Sequence, residues 1–222
     1  MEKPLKVLFV TAEVAPLMST GGLADVAAAL PKSLHEAGHD VRIVMPFYQK
    51  LPRLPESARR GMCLAHLGTH TAYGSFWETT LTDTGIPLYL VEHENYFARP
   101  MPYGDGNYEY ADNAERFGFF CQAALDGVGG TGWRPDVVHS HDWPAAPVSI
   151  LLKNNFANHP VWKGVPCLYT IHNLAYQGRY GASKLASTGL GPELFHPDCL
   201  EFHGDLNLMK GAIMSADRIS TV

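Results

Sequence analysis

What this sequence lacks narrows it first. No apolar run approaches the length of a membrane span, so no spanning helix is predicted. The N-terminus lacks a signal-peptide pattern. The four cysteines, Cys63, Cys121, Cys167 and Cys199, are far apart and form no Cys-x-x-Cys pair. Reduced, mostly buried thiols in a cytoplasmic protein are the expectation. Positive charge is not in excess: 17 Lys and Arg face 22 Asp and Glu, a formal net charge of -5. That balance offers no general basic field for nucleic acid, although 11 histidines soften it below neutral pH. Internal repeats, low-complexity tracts and disordered linkers are absent. So is the fingerprint of three spaced glycines that marks dinucleotide binding.

What is present suits a soluble globular chain. It has 222 residues, 46% hydrophobic and 18% charged, enough length for a real core. Val7 to Val10 is short, β-branched and without alternation, which predicts a buried parallel strand. A loop with Pro16, Gly21 and Gly22 follows. Leu23, Val26, Ala27 and Leu30 then recur at helical spacing, over a helix from about Gly22 to Ala37 closed by Gly38. Asp25 sits in its first turn, where the helix dipole favours an anion. Val41 to Met45 is the next strand. Strand, helix, strand with short loops is a βαβ unit with a right-handed crossover.

Further on, Leu51 to Arg60 reads as a loop or short surface helix. Thr71 to Leu81 and Leu88 to Val91 read as an antiparallel hairpin returning to the main sheet. Arg99 to Gly106 reads as a loop. A long helix is predicted from about Tyr108 to Leu125, ended by Gly127 to Gly132. Asp136 to Asp142 and Pro166 to His172 are strands that run into polar loops, with a helix from Pro147 to Leu152 between them. Leu208 to Ala216 reads as helix and Arg218 to Val222 as strand. The fold class is therefore α/β: a Rossmann-like, doubly wound, mainly parallel sheet. Such sheets bind ligands outside the C-terminal strand ends, and the polar signals collect there.

Three segments carry those signals. Gly21 and Gly22 let a ligand approach the backbone, and the helix start offers free N–H groups to an anion such as phosphate. An ordinary tight βα turn has the same signature. His139-Ser-His-Asp142 has a His-x-His spacing that some metal sites use, but the further ligands of a metal signature are missing, so no metal is expected. Asp142 ends its strand either as a loop-organising acceptor or as a group that grips sugar hydroxyls. His172 and Asn173 end the later strand; on residue type alone His172 is a structural histidine and Asn173 a turn cap.

At these positions the wording resembles bacterial glycogen synthases and plant starch synthases. Ser19-Thr-Gly-Gly-Leu-Ala-Asp-Val26 resembles that family's Lys-x-Gly-Gly-Leu signature, with Ser19 where the lysine stands. Asp136-Val-Val-His-Ser-His-Asp-Trp143 matches a second motif, followed here by Pro144 where the family has His or Gln. Thr170-Ile-His-Asn-Leu-Ala-Tyr-Gln-Gly178 matches a third almost without change. Tyr110 to Phe117 and Lys210 to Val222 match as well.

The resemblance implies the N-terminal half of a GT-B fold, with residues 1–222 as a single domain and the C-terminal nucleotide-binding domain absent. It implies a retaining glucosyltransferase moving glucose from ADP-glucose to the nonreducing end of an α-1,4-glucan. No cofactor is implied, and neither nucleic acid nor membrane is a partner. His172 and Asp142 carry over as the catalytic pair: His172 beside the donor glucose, Asp142 holding a sugar. Gly21 and Gly22 carry over as phosphate contacts. Ser19, Asp25, Tyr103, Trp143 and Asn173 carry over as substrate-binding or loop-supporting positions. Trp143 is either a stacking face for a glucan or a core residue. The serine at position 19 cannot neutralise phosphate charge as a lysine does, which predicts weak donor binding. Without its second domain the chain is expected to be inactive alone. A noncatalytic glucan- or partner-binding remnant is the competing reading. A nucleotide-binding oxidoreductase is a third, against which the missing glycine fingerprint counts.

Overall fold

A computed structural model describes residues 3–222. The chain begins with β1 (Lys6–Val10), α1 (Gly22–Glu36) and β2 (Asp40–Pro46). A β-rich section follows: β3 (Arg59–Leu67), β4 (His70–Thr80) and β5 (Pro87–Glu92). Then come α2 (Glu94–Phe97), α3 (Asn113–Gly130), β6 (Val137–His141), α4 (Asp142–Ala145), α5 (Pro147–Lys153) and β7 (Cys167–Ile171). The last elements are β8 (Arg179–Gly181), β9 (Glu201–Phe202), β10 (Asp205–Asn207), α6 (Leu208–Ser215) and β11 (Arg218–Thr221).

Among the described residues the main sheet has 8 strands in the order β11-β7-β6-β1-β2-β5-β4-β3. The run from β11 to β5 is parallel throughout; β4 and β3 add an antiparallel edge. This is the doubly wound, mainly parallel sheet the sequence predicts. Strand order reverses at β1, which pairs with β2 on one side and β6 on the other. A parallel sheet reverses its crossovers there, so the loops after β1 and β6 diverge and leave a crevice at the C-terminal edge. Leu8, Phe9 and Val10 are fully buried, as expected for a strand covered on both faces.

Three expectations change. The long helix starts at Asn113, not Tyr108, and continues to Gly130. Residues before it are drawn into a loop, where Gly104 and Glu109 form a bridge and the Tyr110 N–H donates to the Tyr103 carbonyl at 3.0 Å. Its glycines do not break it: a Cβ on Gly127 would lie 2.3 Å from the Phe76 ring, so this glycine serves close packing. Second, the edge strand β3 (Arg59–Leu67) begins inside the Leu51 to Arg60 stretch expected as loop or short surface helix. Cys63, Ala65 and Leu67 alternate inward along it. Helix α3 closes its free edge: Asp126 Oδ2 accepts from Leu64 N at 3.0 Å and Gln122 Oε1 from His66 N at 3.0 Å. Third, β8, β10 and β9 form a small antiparallel sheet that no periodicity announced. The four cysteines are buried and free.

Candidate active site

A cleft of about 840 Å³ lies at the switch point. Its walls come from the loop after β1, the loop before α3, and the segments after β6 and β7. Gly21, Gly22, Tyr103, Asp142, Trp143, His172 and Asn173 all line it. Ser19 and Asp25 are not among the lining residues; both are exposed, Asp25 on the first turn of α1.

The glycine wall is built from helix geometry. Gly21 is the N-cap of α1 and Gly22 its first residue, with no side chain capping the end. The first N–H groups of a helix lack partners within it, so these donors are left for a ligand. Neither glycine has a positive φ, and a Cβ on either would meet nothing within 4 Å. The backbone therefore does not require glycine here. What the two glycines preserve is open space beside the helix N-terminus.

Glu13, which sequence reasoning missed, fixes that wall. The residue is 2% exposed, and its carboxylate accepts hydrogen bonds from Thr20 N, from Thr20 Oγ1 at 2.8 Å and from the Tyr103 hydroxyl at 2.6 Å. One buried carboxylate thus ties the glycine loop to the opposite loop. Charged acceptors make the stronger hydrogen bonds. The signal was present in Thr11-Ala-Glu-Val14, an acidic residue just after a fully apolar strand. Arg116 anchors the Tyr103 loop from beneath: fully buried, it donates to the carbonyls of Tyr96 at 2.7 Å and Pro102 at 3.0 Å.

Asp142 adopts φ 56, a left-handed conformation, at the end of β6. Its Oδ1 accepts from the backbone N–H of His172 at 2.7 Å and of Asn173 at 3.3 Å. The carboxylate thereby splints the end of β6 to the end of β7. Burial pushes its pKa up, against those hydrogen bonds. A strained φ held by a hydrogen-bond pair at a ligand-facing position is a recurring mark of functional sites. Asn173 also does what a turn cap does: its Oδ1 accepts from Ala175 N at 3.0 Å.

Three histidines stack behind this edge. Phe9 on β1 pairs in register with His139 on β6, so Phe9, His139 and His141 share one face. The His141 ring stacks on Phe9 with centroids 3.9 Å apart. His139 Nε2 lies 2.6 Å from Thr170 Oγ1, and His141 Nδ1 lies 3.0 Å from His172 Nε2. Burial is the main cause that holds all three below the ordinary histidine pKa, His139 down to about 4. They are neutral at pH 7, so each carries one ring proton. His141 Nε2 is buried without a partner. An unpaired lone pair is the cheaper orphan there, so the His141 proton sits on Nδ1 and is donated to His172 Nε2. His172 then carries its own proton on Nδ1 and offers the cleft a donor. Among the described residues no group of three or more His, Cys, Asp or Glu side chains is placed to hold a metal ion.

Trp143 lines the cleft but is only 6% exposed and packs edge-on against Phe117 at 4.9 Å. Of the two readings of this residue, burial favours the core. The open aromatic faces belong to residues not singled out in advance: Tyr176, 58% exposed, and Tyr108, 81% exposed. Tyr176 lies inside the Thr170–Gly178 motif, so its position was legible although its exposure was not.

Residues 6–222 match the family described as the starch synthase catalytic domain. The glycogen synthase of Geotalea uraniireducens (strain Rf4) is 46% identical over 98% of this chain and 45% of its own. The glycogen synthase of Moorella thermoacetica (strain ATCC 39073 / JCM 9320) is 40% identical over 100% of this chain and 44% of its own. The catalytic domain of starch synthase IV from Arabidopsis thaliana, solved with ADP and acarbose bound, superposes with a TM-score of 0.85 at 30% identity, covering 99% of this chain and 45% of that one. The chain thus spans about half the length of the curated relatives it matches. Motifs, switch-point cleft and matches agree, and the chain belongs to the starch synthase catalytic domain family.

Proposed function

We propose that this chain supplies the acceptor side of a retaining glucosyltransferase, one that moves glucose from ADP-glucose to the nonreducing end of an α-1,4-glucan. The observation that carries the reading is the meeting, in one cleft, of a glycine-walled helix N-terminus with the Asp142–His172 pair. In the transfer the bond from glucose C1 to the diphosphate oxygen breaks, the acceptor hydroxyl oxygen bonds to C1, and the hydroxyl proton passes to the departing diphosphate. Negative charge grows on the departing diphosphate. Free N–H groups at the start of α1 face such charge without reorganising, which is where preorganised dipoles help most. His172 Nδ1–H donates to a hydroxyl of the donor glucose, and its backbone carbonyl lies near the anomeric carbon, as the family resemblance implies. Asp142 uses Oδ1 on the backbone, leaving Oδ2 to accept from a sugar hydroxyl. We assign the remaining nucleotide contacts to the length of the relatives that this chain does not span. On that assignment the chain alone binds substrates and does not turn them over.

Calorimetric titration with maltooligosaccharides and with ADP-glucose tests the reading. Glucan binding with weak ADP-glucose binding is expected, both reduced by Asp142→Asn and His172→Ala. Binding of neither ligand overturns it, and binding of NAD instead points to an oxidoreductase. Transfer of labelled glucose to glycogen, measured with the second half of a relative fused after Val222, separates catalysis from mere glucan binding.

A further inference from the structure

His172 turns one ring nitrogen to the interior and leaves the other to the cleft. Nε2 lies 3.0 Å from His141 Nδ1. Nδ1 makes no hydrogen bond among the described residues and stays accessible in the cleft that His172 lines. A neutral imidazole has one N–H and one bare nitrogen. With the proton on Nε2, His172 would offer a sugar an acceptor. With the proton on Nδ1, it offers a donor. Nothing in the cleft itself makes that choice.

The choice is made one residue deeper. His141 is fully buried and does not line the cleft. Its ring is held flat between neighbours: it stacks on Phe9 at 3.9 Å and lies 4.0 Å from the His139 ring. His139 Nε2 is fixed in turn by Thr170 Oγ1 at 2.6 Å, and that hydroxyl lies 2.7 Å from Ser220 Oγ. These residues stand on β1, β6, β7 and β11, four neighbouring strands, so the shelf behind His172 is part of the sheet. His141 Nε2 has no partner. A buried N–H left alone is rarer and costlier than a bare lone pair, which keeps the His141 proton on Nδ1.

We propose that His141 is a positioning residue for glucosyl transfer: by donating Nδ1–H to His172 Nε2, it locks His172 in the tautomer whose cleft-facing nitrogen is a donor to the sugar. The proposal rests on the glucosyl-transfer reading above. It also explains why an imidazole stands behind His172 instead of a carboxylate, which would draw a second proton onto the ring. Here that proton would have to enter at Nε2, against the His141 N–H, and would drive the His141 proton to Nε2, where nothing accepts it. The one carboxylate facing His172, Asp142, is spent through Oδ1 on the backbone N–H groups of His172 and Asn173.

The test is nitrogen NMR of this chain with 15N-labelled histidines, which distinguishes protonated from bare ring nitrogens; loss of signals in His172→Ala assigns them. His172 should carry its proton on Nδ1 and His141 its proton on Nδ1 also. His141→Phe keeps the stacked ring and removes the donor, so the His172 proton should redistribute to Nε2. His141→Asn places an amide N–H where Nδ1 stood and should restore the wild-type tautomer. In calorimetry His141→Phe should weaken ADP-glucose about fivefold, the worth of one hydrogen bond, and His141→Asn should recover most of that loss. ADP, which has no glucose, should bind all three alike. A wild-type His172 protonated on Nε2 overturns the proposal without any variant. So does a tautomer unchanged by His141→Phe, or an equal loss of ADP and ADP-glucose, which marks a merely structural residue. Failure of ADP-glucose to bind the wild type overturns the glucosyl-transfer reading itself, and the positioning role with it.

Discussion

Gly22→Ala should separate folding from ligand binding with opposite signs. Gly22 is the first residue of α1, has no positive φ, and would meet nothing within 4 Å if it carried a Cβ. Alanine at a compatible position restricts the unfolded chain and stabilises by about 0.4–1 kcal/mol. For a chain of this size that is a rise in Tm of about 1–4 °C. The same methyl enters the cleft beside the helix N-terminus, where it holds an anion away from one or two N–H groups. A hydrogen bond to a charged partner is worth about 1.5–3 kcal/mol, so ADP-glucose affinity should fall by about tenfold or more. Urea unfolding gives the stability, with an unchanged m-value showing that the denatured state is the same. Calorimetry gives the affinity, in a Ser19→Lys background to raise the signal. Destabilisation by more than about 1 kcal/mol would show that the backbone does need this glycine. Unchanged affinity would refute the glycine wall as an anion site.

Other outcomes follow from the same geometry. Glu13 and Tyr103 should be energetically coupled: in a double-mutant cycle of Glu13→Gln and Tyr103→Phe, unfolding free energies should depart from additivity by about 1 kcal/mol, because the 2.6 Å bond joins a buried carboxylate to a hydroxyl; additive values sink the clamp. Stability should fall as pH drops from about 6.5 towards about 4. Burial keeps His139 and His141 neutral in the fold, His139 down to about 4, while the unfolded chain takes up protons near the ordinary histidine value. Each such histidine costs up to about 1.4 kcal/mol per pH unit in that window. Asp142, raised by burial, runs the other way and offsets part of it. Urea midpoints at pH 7 and pH 5 measure the slope, and His139→Gln should flatten it; an unchanged slope rejects the assignment. Ser19→Lys should strengthen ADP-glucose binding by about tenfold through a charge-assisted contact. Ser19 is exposed and does not itself line the cleft, whereas its neighbour Thr20 does. Equal affinities by calorimetry would reject charge at this position as the cause of weak binding.

Much of the frame was legible because its signals are local. Val7 to Val10 is apolar without alternation, and a strand covered on both faces has no other pattern. The helix after Gly21-Gly22 runs to Glu36 against an expected Ala37. Misreadings came where distant residues decide. Gly127 looked like a helix end and is a close contact with Phe76 on another element. The strand Arg59–Leu67 went unread because its edge is satisfied by Asp126 and Gln122 from α3, far along the chain.

By itself the sequence determined the α/β class, the three polar segments after successive strands, and the family those segments resemble. Each is written in contiguous residues, so a strand, a cap or a motif declares itself within a short window. Only the tertiary structure decided that Glu13 joins Thr20 to Tyr103 and that Asp142 splints the ends of β6 and β7. Glu13 meets Tyr103 90 residues on, and Asp142 meets the His172 backbone 30 residues on, across the sheet edge. A strand order that reverses at β1 brings them together, and no local pattern states that order.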